Sequence, residues 1–193
     1  MSVVIIDYNA GNVQSVTYAL NRLGVTPVLS SDLDTIMGAD KVIFPGVGEA
    51  STAMSFLKAR GLDGVIKELK QPVFGVCLGL QLMCKHSEEN DTDCLGIFDV
   101  EVKKFEPKLK VPQMGWNSLF DMNSDLFKGL PTDPYVYYVH SYFAELSDYT
   151  VAQTDYIKPF SAALQKDNFY ALQAHPEKSG KVGERILENF IEL

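Results

Sequence analysis

Three short runs of nearly unbroken aliphatic residues constrain the fold of this 193-residue chain more than any other feature: Ser2–Tyr8 (SVVIIDY), Asp40–Pro45 (DKVIFP) and Pro72–Val76 (PVFGV). A strand that alternates apolar and polar residues needs cover on one face only. A run that is apolar at every position needs cover on both, which is the situation of a strand inside a parallel sheet with helices above and below. The intervening stretches carry helical spacing. After a turn over Asn9–Asn12, the residues Val13, Val16, Leu20 and Leu23 fall on one helical face, and Gly24 supplies a stop. A second strand is expected over Val25–Ser30. Helices are expected after Pro45-Gly-Val-Gly48 through about Arg60, around Leu62–Leu69, and from near Leu78 onward. This alternation predicts an α/β fold with an open, mostly parallel sheet flanked by helices, whose functional crevice lies at the carboxyl ends of the strands.

The second half reads differently. Gly96–Phe105, Met114–Asp121, Pro134–Phe143, Tyr149–Tyr156, Phe160–Lys166 and Phe169–Ala174 are strand-like with short connections, and predict an antiparallel extension of the same sheet. Gly180–Leu193 reads as a closing amphipathic helix with Val182, Ile186, Leu187, Phe190 and Ile191 on its core face. No linker or internal repeat divides the chain, so residues 1–193 are expected to form one domain.

Composition removes several classes of function. A formal charge of −8 disfavours a nucleic-acid partner, because phosphate contacts need clustered Lys and Arg. No apolar run approaches the ~20 residues that span a bilayer, and the N-terminus lacks a basic leader region, so a cytoplasmic protein is expected. Cys77, Cys84 and Cys94 lack metal-ligand spacing and are an odd, sparse set, which supports neither a disulfide framework nor a metal site; no cofactor is expected. The acidic stretch Ser87–Asp93 reads as a solvated loop.

Chemistry concentrates in three places. Gly75-Val-Cys-Leu-Gly79 has the G-x-C-x-G form of a nucleophile elbow, in which a sharp strand-to-helix turn lifts the side chain of Cys77 clear of the backbone. Taken alone it is equally compatible with a buried packing cysteine. His175-Pro-Glu177 places an imidazole and a carboxylate two residues apart in an extended segment, on one face, with Pro176 stiffening the step; alone, it also suits a surface turn. Phe44-Pro-Gly-Val-Gly48 can present backbone N–H groups of Gly46 and Val47 to an oxyanion, beside that of Leu78. His86, expected near the end of the Leu78 helix, and His140, in an aromatic strand, are read as structural.

PGVG, GVCLGLQLM and HPEKS, in that order, resemble the class I (triad) glutamine amidotransferases over essentially the whole chain. The stretches Ile6–Asn12, Val111–Asn117 (VPQMGWN) and Tyr137–Tyr142 (YYVHSY) further resemble the members that feed ammonia to a cyclase in histidine biosynthesis. The resemblance implies a flavodoxin-like glutaminase fold with Cys77 as nucleophile, His175 as proton shuttle and Glu177 orienting it. It implies an oxyanion site at Gly46, Val47 and Leu78, and glutamine contacts at Gln81, Ser141 and Tyr142. It also implies a heterodimeric partner, a cyclase subunit with a (β/α)8 barrel, reached through Asn12, Trp116 and Lys178, and an oxyanion strand that must rearrange before it works. Three departures stand out: Asn9 replaces a usual glycine, Ala174 a frequent phenylalanine, and Gln113 a common histidine. Other amidotransferases of the family, a cysteine hydrolase sharing the elbow, and a non-catalytic module of flavodoxin-like shape remain open on these motifs.

Overall fold

A computed structural model describes residues 1–9 and 11–193; Ala10, inside the expected turn Asn9–Asn12, lies outside the described residues. The strands are β1 (Val3–Ile6), β2 (Val28–Ser30), β3 (Lys41–Phe44), β4 (Val73–Val76), β5 (His86–Ser87), β6 (Thr92–Asp93), β7 (Glu101–Lys104), β8 (Gln113–Ser118), β9 (Tyr135–His140), β10 (Tyr142–Ala144), β11 (Thr150–Tyr156), β12 (Lys158–Lys166) and β13 (Phe169–Leu172). The helices are α1 (Val13–Arg22), α2 (Leu33–Met37), α3 (Ala50–Ala59), α4 (Leu62–Glu68), α5 (Leu78–Met83) and α6 (Gly180–Glu192).

Eleven strands form one sheet in the order β2-β1-β3-β4-β13-β12-β10-β7-β5-β6, with β11 paired to β12. Pairing is parallel from β2 through β13 and mostly antiparallel beyond. The aliphatic runs sit centrally, as their two-sided apolar character requires: every residue of β1, β3 and β4 is buried. Successive side chains go to opposite faces. Val4, Ile6, Val42 and Phe44 pack towards α3, α4 and α5, whereas Val3, Ile5, Ile43 and Phe74 pack towards α1 and α6. Each such side chain, fully buried, stabilises the fold by about 1.5–3 kcal/mol. On α6 the core residues are Ile186, Leu187 and Phe190; Val182 and Ile191 are only partly buried. Among the described residues, no helix is long and apolar enough to cross a membrane.

Several expected boundaries move for local reasons. The second strand begins at Val28 rather than Val25: the Val25 N–H is bonded to the Leu20 carbonyl (3.0 Å), and Pro27 has no N–H to give. Helix α2, too short for periodicity to reveal, starts where Asp32 accepts the N–H of Thr35 (2.8 Å). Of Gly96–Phe105 only β7 is strand. The expected strand Pro134–Phe143 breaks at Ser141, because β9 pairs with β8 in a separate two-stranded sheet while β10 joins the main sheet through β7 and β12. Phe169–Ala174 yields β13, which returns to the centre and runs parallel to β4.

The acidic stretch is a hairpin, not a solvated loop. Strands β5 and β6 pair around Asn90 and Asp91, both with positive φ (53° and 49°), and Ser87 and Thr92 are buried. His86 is consequently not on a helix. Helix α5 stops at Met83 because Cys84 turns extended, and His86 instead faces two carboxylates, Asp91 at 2.9 Å and Glu101 at 3.2 Å.

Candidate active site

The carboxyl ends of β4 and β13, adjacent and parallel, bring the elbow and the histidine segment together. Leu172 pairs with Val76, so the residues that follow each strand leave the sheet side by side. The Cys77 N–H donates to the Leu172 carbonyl at 2.8 Å, continuing the ladder by one step before the chain turns.

That turn is sharp. Cys77 has φ 53° and ψ −105°, a region that non-glycine residues enter at a cost of about 1–3 kcal/mol. The strain falls on the cysteine itself; the flanking glycines serve close packing. A Cβ on Gly79 would collide with the Phe44 carbonyl oxygen, and one on Gly75 would stand 2.9 Å from the Met83 sulfur. Helix α5 can therefore lie directly against the end of β3. Cys77 is 6% exposed and opens onto a cleft of about 320 Å³, of small-molecule size.

His175 and Glu177 meet in the same place. The His175 N–H donates to the Tyr137 carbonyl at 2.8 Å, and its Nδ1 lies 2.9 Å from Glu177 Oε1. Ser179 ties the segment to β9: its hydroxyl donates to the His175 carbonyl at 2.6 Å and accepts the Tyr137 N–H at 2.9 Å. Burial by itself pushes the imidazole down. The influence of the neighbouring Cys77, and then of Glu177, outweighs it and raises His175 to about 10. The sulfur of Cys77 and the imidazole of His175 line one cleft, with the Glu177 carboxylate on the far ring nitrogen, an arrangement able to deliver a nucleophile and return its proton.

Asn12 is 5% exposed, and its amide donates to Glu177 Oε1 at 3.1 Å. Although it sits at the N-cap of α1, it makes no capping bond there. Asn12 Oδ1 and Glu177 Oε2 are buried without a partner among the described residues.

At the oxyanion stretch, the Leu78 N–H donates to the Gly46 carbonyl at 3.2 Å. Leu78 and Gly46 therefore bond one another instead of converging on a common point. Behind them the buried Tyr8 hydroxyl donates to the Pro45 carbonyl. Val47 is exposed and lines the cleft.

Gln81, Ser141 and Tyr142 all line the cleft, the last two because the chain changes sheets between β9 and β10. The Gln81 amide nitrogen donates to the Tyr142 carbonyl at 2.9 Å and to Gln173 Oε1 at 3.0 Å. His140 lines the cleft too, but both ring nitrogens are engaged, with the Tyr142 carbonyl at 2.7 Å and Gln113 at 2.8 Å. Burial, against the pull of the Tyr142 carbonyl, pushes it down to about 4 and keeps it neutral. Gln113, standing where a histidine is common, is thus a partner for that ring. Asn9 adopts φ 69°, the left-handed conformation its side chain tolerates.

Trp116 is 55% exposed and packs edge-on against Tyr137; Met114 and Tyr135 on the same face of the β8–β9 hairpin are also exposed. Lys178 is exposed at the rim of the cleft.

Sequence reasoning missed two polar residues here. Glu89, inside the supposed solvated loop, reaches the cleft while accepting the Ala50 N–H (2.8 Å), and burial raises its carboxyl above the usual range. Gln173 is fully buried with Nε2 3.6 Å from the Cys77 sulfur. A glutamine two residues before the histidine was the available signal, but an apolar context gives no hint of its direction.

The model of the family described as glutamine amidotransferase class-I matches residues 4–193. The chain is 62% identical over 196 residues to the imidazole glycerol phosphate synthase subunit HisH of Bacteroides fragilis (strain YCH46), and 45% identical over 196 residues to the subunit of that name in Escherichia coli (strain K12). Both matches span 100% of this chain and of the relative. A crystal structure of a glutamine amidotransferase aligns with TM-score 0.78 at 19% identity, covering 99% of this chain and 98% of that one. A glutamine amidotransferase from Thermotoga maritima aligns with TM-score 0.63 at 18% identity, covering 100% and 83%. At these identities the solved structures establish the fold.

Proposed function

The chain belongs to the class-I glutamine amidotransferases, and on that premise we propose that it is the glutaminase subunit of an imidazole glycerol phosphate synthase. It hydrolyses glutamine to glutamate and passes ammonia to a cyclase subunit. That partner makes imidazole glycerol phosphate and an aminoimidazole carboxamide ribonucleotide in histidine biosynthesis. The observation that carries the reading is the 62% identity over the full length, joined to the meeting of Cys77 and His175 in one cleft with Glu177 on the ring. Residues 1–193 act as one glutaminase domain, which the single eleven-stranded sheet supports.

The mechanism follows from the geometry. The Cys77 thiolate attacks the side-chain carbonyl carbon of glutamine, and the C–O π electrons move to oxygen. His175, holding the proton taken from the thiol, gives it to the amide nitrogen as the C–N bond breaks and ammonia leaves. Water then attacks the thioester with His175 as base, the S–C bond breaks, and glutamate departs. Glu177 holds the ring and balances its charge.

Substrate is held by complementary charge. The Glu89 carboxylate at the cleft wall suits the α-ammonium of glutamine, and the Ser141–Tyr142 stretch its carboxylate end, with Gln81 fixing that stretch. The oxyanion is bound by the Leu78 and Val47 N–H groups once Gly46 has turned away. The Leu78–Gly46 bond supports a resting state with low glutaminase turnover, relieved when the partner and its nucleotide bind.

The partner, a (β/α)8-barrel cyclase, docks over Trp116 and Lys178; the exposed Met114 and Tyr135 extend that surface. Asn12 contributes from within, through Glu177. A shielded route matters because ammonia released to neutral water takes up a proton and loses its nucleophilic lone pair. Incubation with the purified cyclase subunit and its nucleotide, reading glutamate and imidazole glycerol phosphate together, tests the assignment. Stoichiometric formation of both is expected. Glutamate release that is equal with and without the cyclase would remove the gated resting state, and absence of the phosphate product would remove the pathway.

A further inference from the structure

The sulfur of Cys77 has a donor that neither the triad nor the glutamine contacts require. Gln173 is fully buried between β13 and His175, and its backbone N–H is anchored on the Ala162 carbonyl at 2.8 Å. Its Nε2 lies 3.6 Å from the Cys77 sulfur. The orientation of this amide is settled by its other end. The Tyr142 carbonyl accepts only, so the Gln81 atom 2.9 Å from it is the NH2; that same nitrogen meets Gln173 at 3.0 Å, where only oxygen can accept. The remaining face of Gln173, its NH2, must point at the sulfur. On another side of the sulfur stands the Val139 carbonyl at 3.8 Å, which can receive an S–H but offers nothing to a thiolate.

We propose that Gln173 is a further catalytic residue. It donates an N–H to the Cys77 sulfur whenever that atom carries negative charge, and through Gln81 it ties the sulfur to the strand bearing Tyr142 in the substrate cleft. This rests on the reading of Cys77 as the nucleophile. When His175 removes the thiol proton, the charge left on sulfur is shared between the imidazolium and the Gln173 amide. As the S–C bond forms, the charge passes to the amide oxygen and the Gln173 bond weakens. As the S–C bond of the thioester breaks, the electron pair returns to sulfur and the bond is restored. Hydrogen bonds to charged acceptors are roughly twice as strong as neutral ones, so the donor acts mainly where sulfur is nucleophile or leaving group. It therefore affects turnover more than glutamine binding.

The test uses the complex with its cyclase partner and two variants, Gln173→Met, of similar length without donor or acceptor, and Gln173→Glu, of the same shape without the donor. Steady-state glutaminase assays are paired with the rate at which iodoacetamide alkylates Cys77, followed on its peptide by mass. Expected are a kcat lower by about tenfold to a hundredfold, a KM within about twofold, and alkylation slowed in parallel. A residue serving packing alone would lower the melting temperature and leave alkylation of the folded protein unchanged. Normal kcat and normal alkylation in either folded variant would overturn the proposal. Should neither variant fold, the side-chain amide resonance of Gln173 in the unsubstituted protein decides: it is expected to shift when Cys77 is alkylated, and an unmoved signal overturns the assignment. Alkylation needs no glutamine turnover, so slowed alkylation with undiminished kcat would count against Cys77 as nucleophile rather than against the contact.

Discussion

Nδ1 of His175 stands 2.9 Å from Oε1 of Glu177, and neither side chain is more than 1% exposed. A carboxylate so placed fixes the tautomer of the imidazole and balances the charge the ring acquires. Glu177→Gln preserves the size of the side chain and removes that charge. Its kcat for glutamate release in the complex is expected to fall by on the order of 10²–10⁴. A folded variant retaining wild-type turnover would deny Glu177 this role.

The same cluster sets a pH dependence of stability. Folding raises the proton affinity of His175, to about 10, against the lowering effect of burial and through the neighbouring Cys77 first and Glu177 second. A group whose pKa rises on folding contributes stability that is fully present below its unfolded pKa of ~6.5 and is lost as pH climbs through the folded value. Denaturant unfolding at pH 7 and pH 10 should show this loss in the wild type. The slope is expected to be shallower in Cys77→Ser, where the main raising charge is gone; identical pH profiles would contradict the coupling.

Gly79→Ala places a methyl group against the backbone carbonyl of Phe44, which cannot swing aside as a side chain would. Since overpacking a core by flexible contacts costs about 1–3 kcal/mol, a loss at or above the upper end is expected in the urea midpoint. Glutaminase activity should fall with it, because the elbow geometry depends on α5 lying close to β3.

Trp116→Ala removes a ring that is 55% exposed and packs edge-on against Tyr137. The melting temperature should be unchanged within about 2 °C for so exposed a site. Affinity for the cyclase subunit, measured by titration calorimetry, is expected to weaken by about 2 kcal/mol, roughly thirtyfold. Unchanged affinity would move the docking surface elsewhere.

Much of the frame was legible because it is written locally. The aliphatic runs of β1, β3 and β4 could be satisfied only inside a sheet covered on both faces, and they are buried throughout. The elbow showed in the glycine spacing around Cys77, and the histidine pair in H-P-E, since both are short-range patterns with a direct stereochemical meaning. The hairpin β5–β6 was hidden because Glu88, Asp91 and Asp93 face solvent, and its anchors are only the buried Ser87 and Thr92 and the half-buried Glu89. His86 was misplaced because nothing in its own residues showed that α5 stops at Met83.

Residue types and their spacing determined, without any fold, that this chain builds a central parallel sheet and carries a thiol elbow with a histidine–carboxylate step. Only the tertiary structure decided what surrounds the sulfur: Gln173, 96 positions along the chain, beside Cys77; Glu89 at the cleft wall; Asn12 turned inward on Glu177; the Leu78 N–H held by Gly46. The reason is physical. Strand and turn preferences arise from torsions and near neighbours, whereas the pairing of buried polar groups depends on which distant segments the sheet order brings together and on the cost of leaving any of them unpaired.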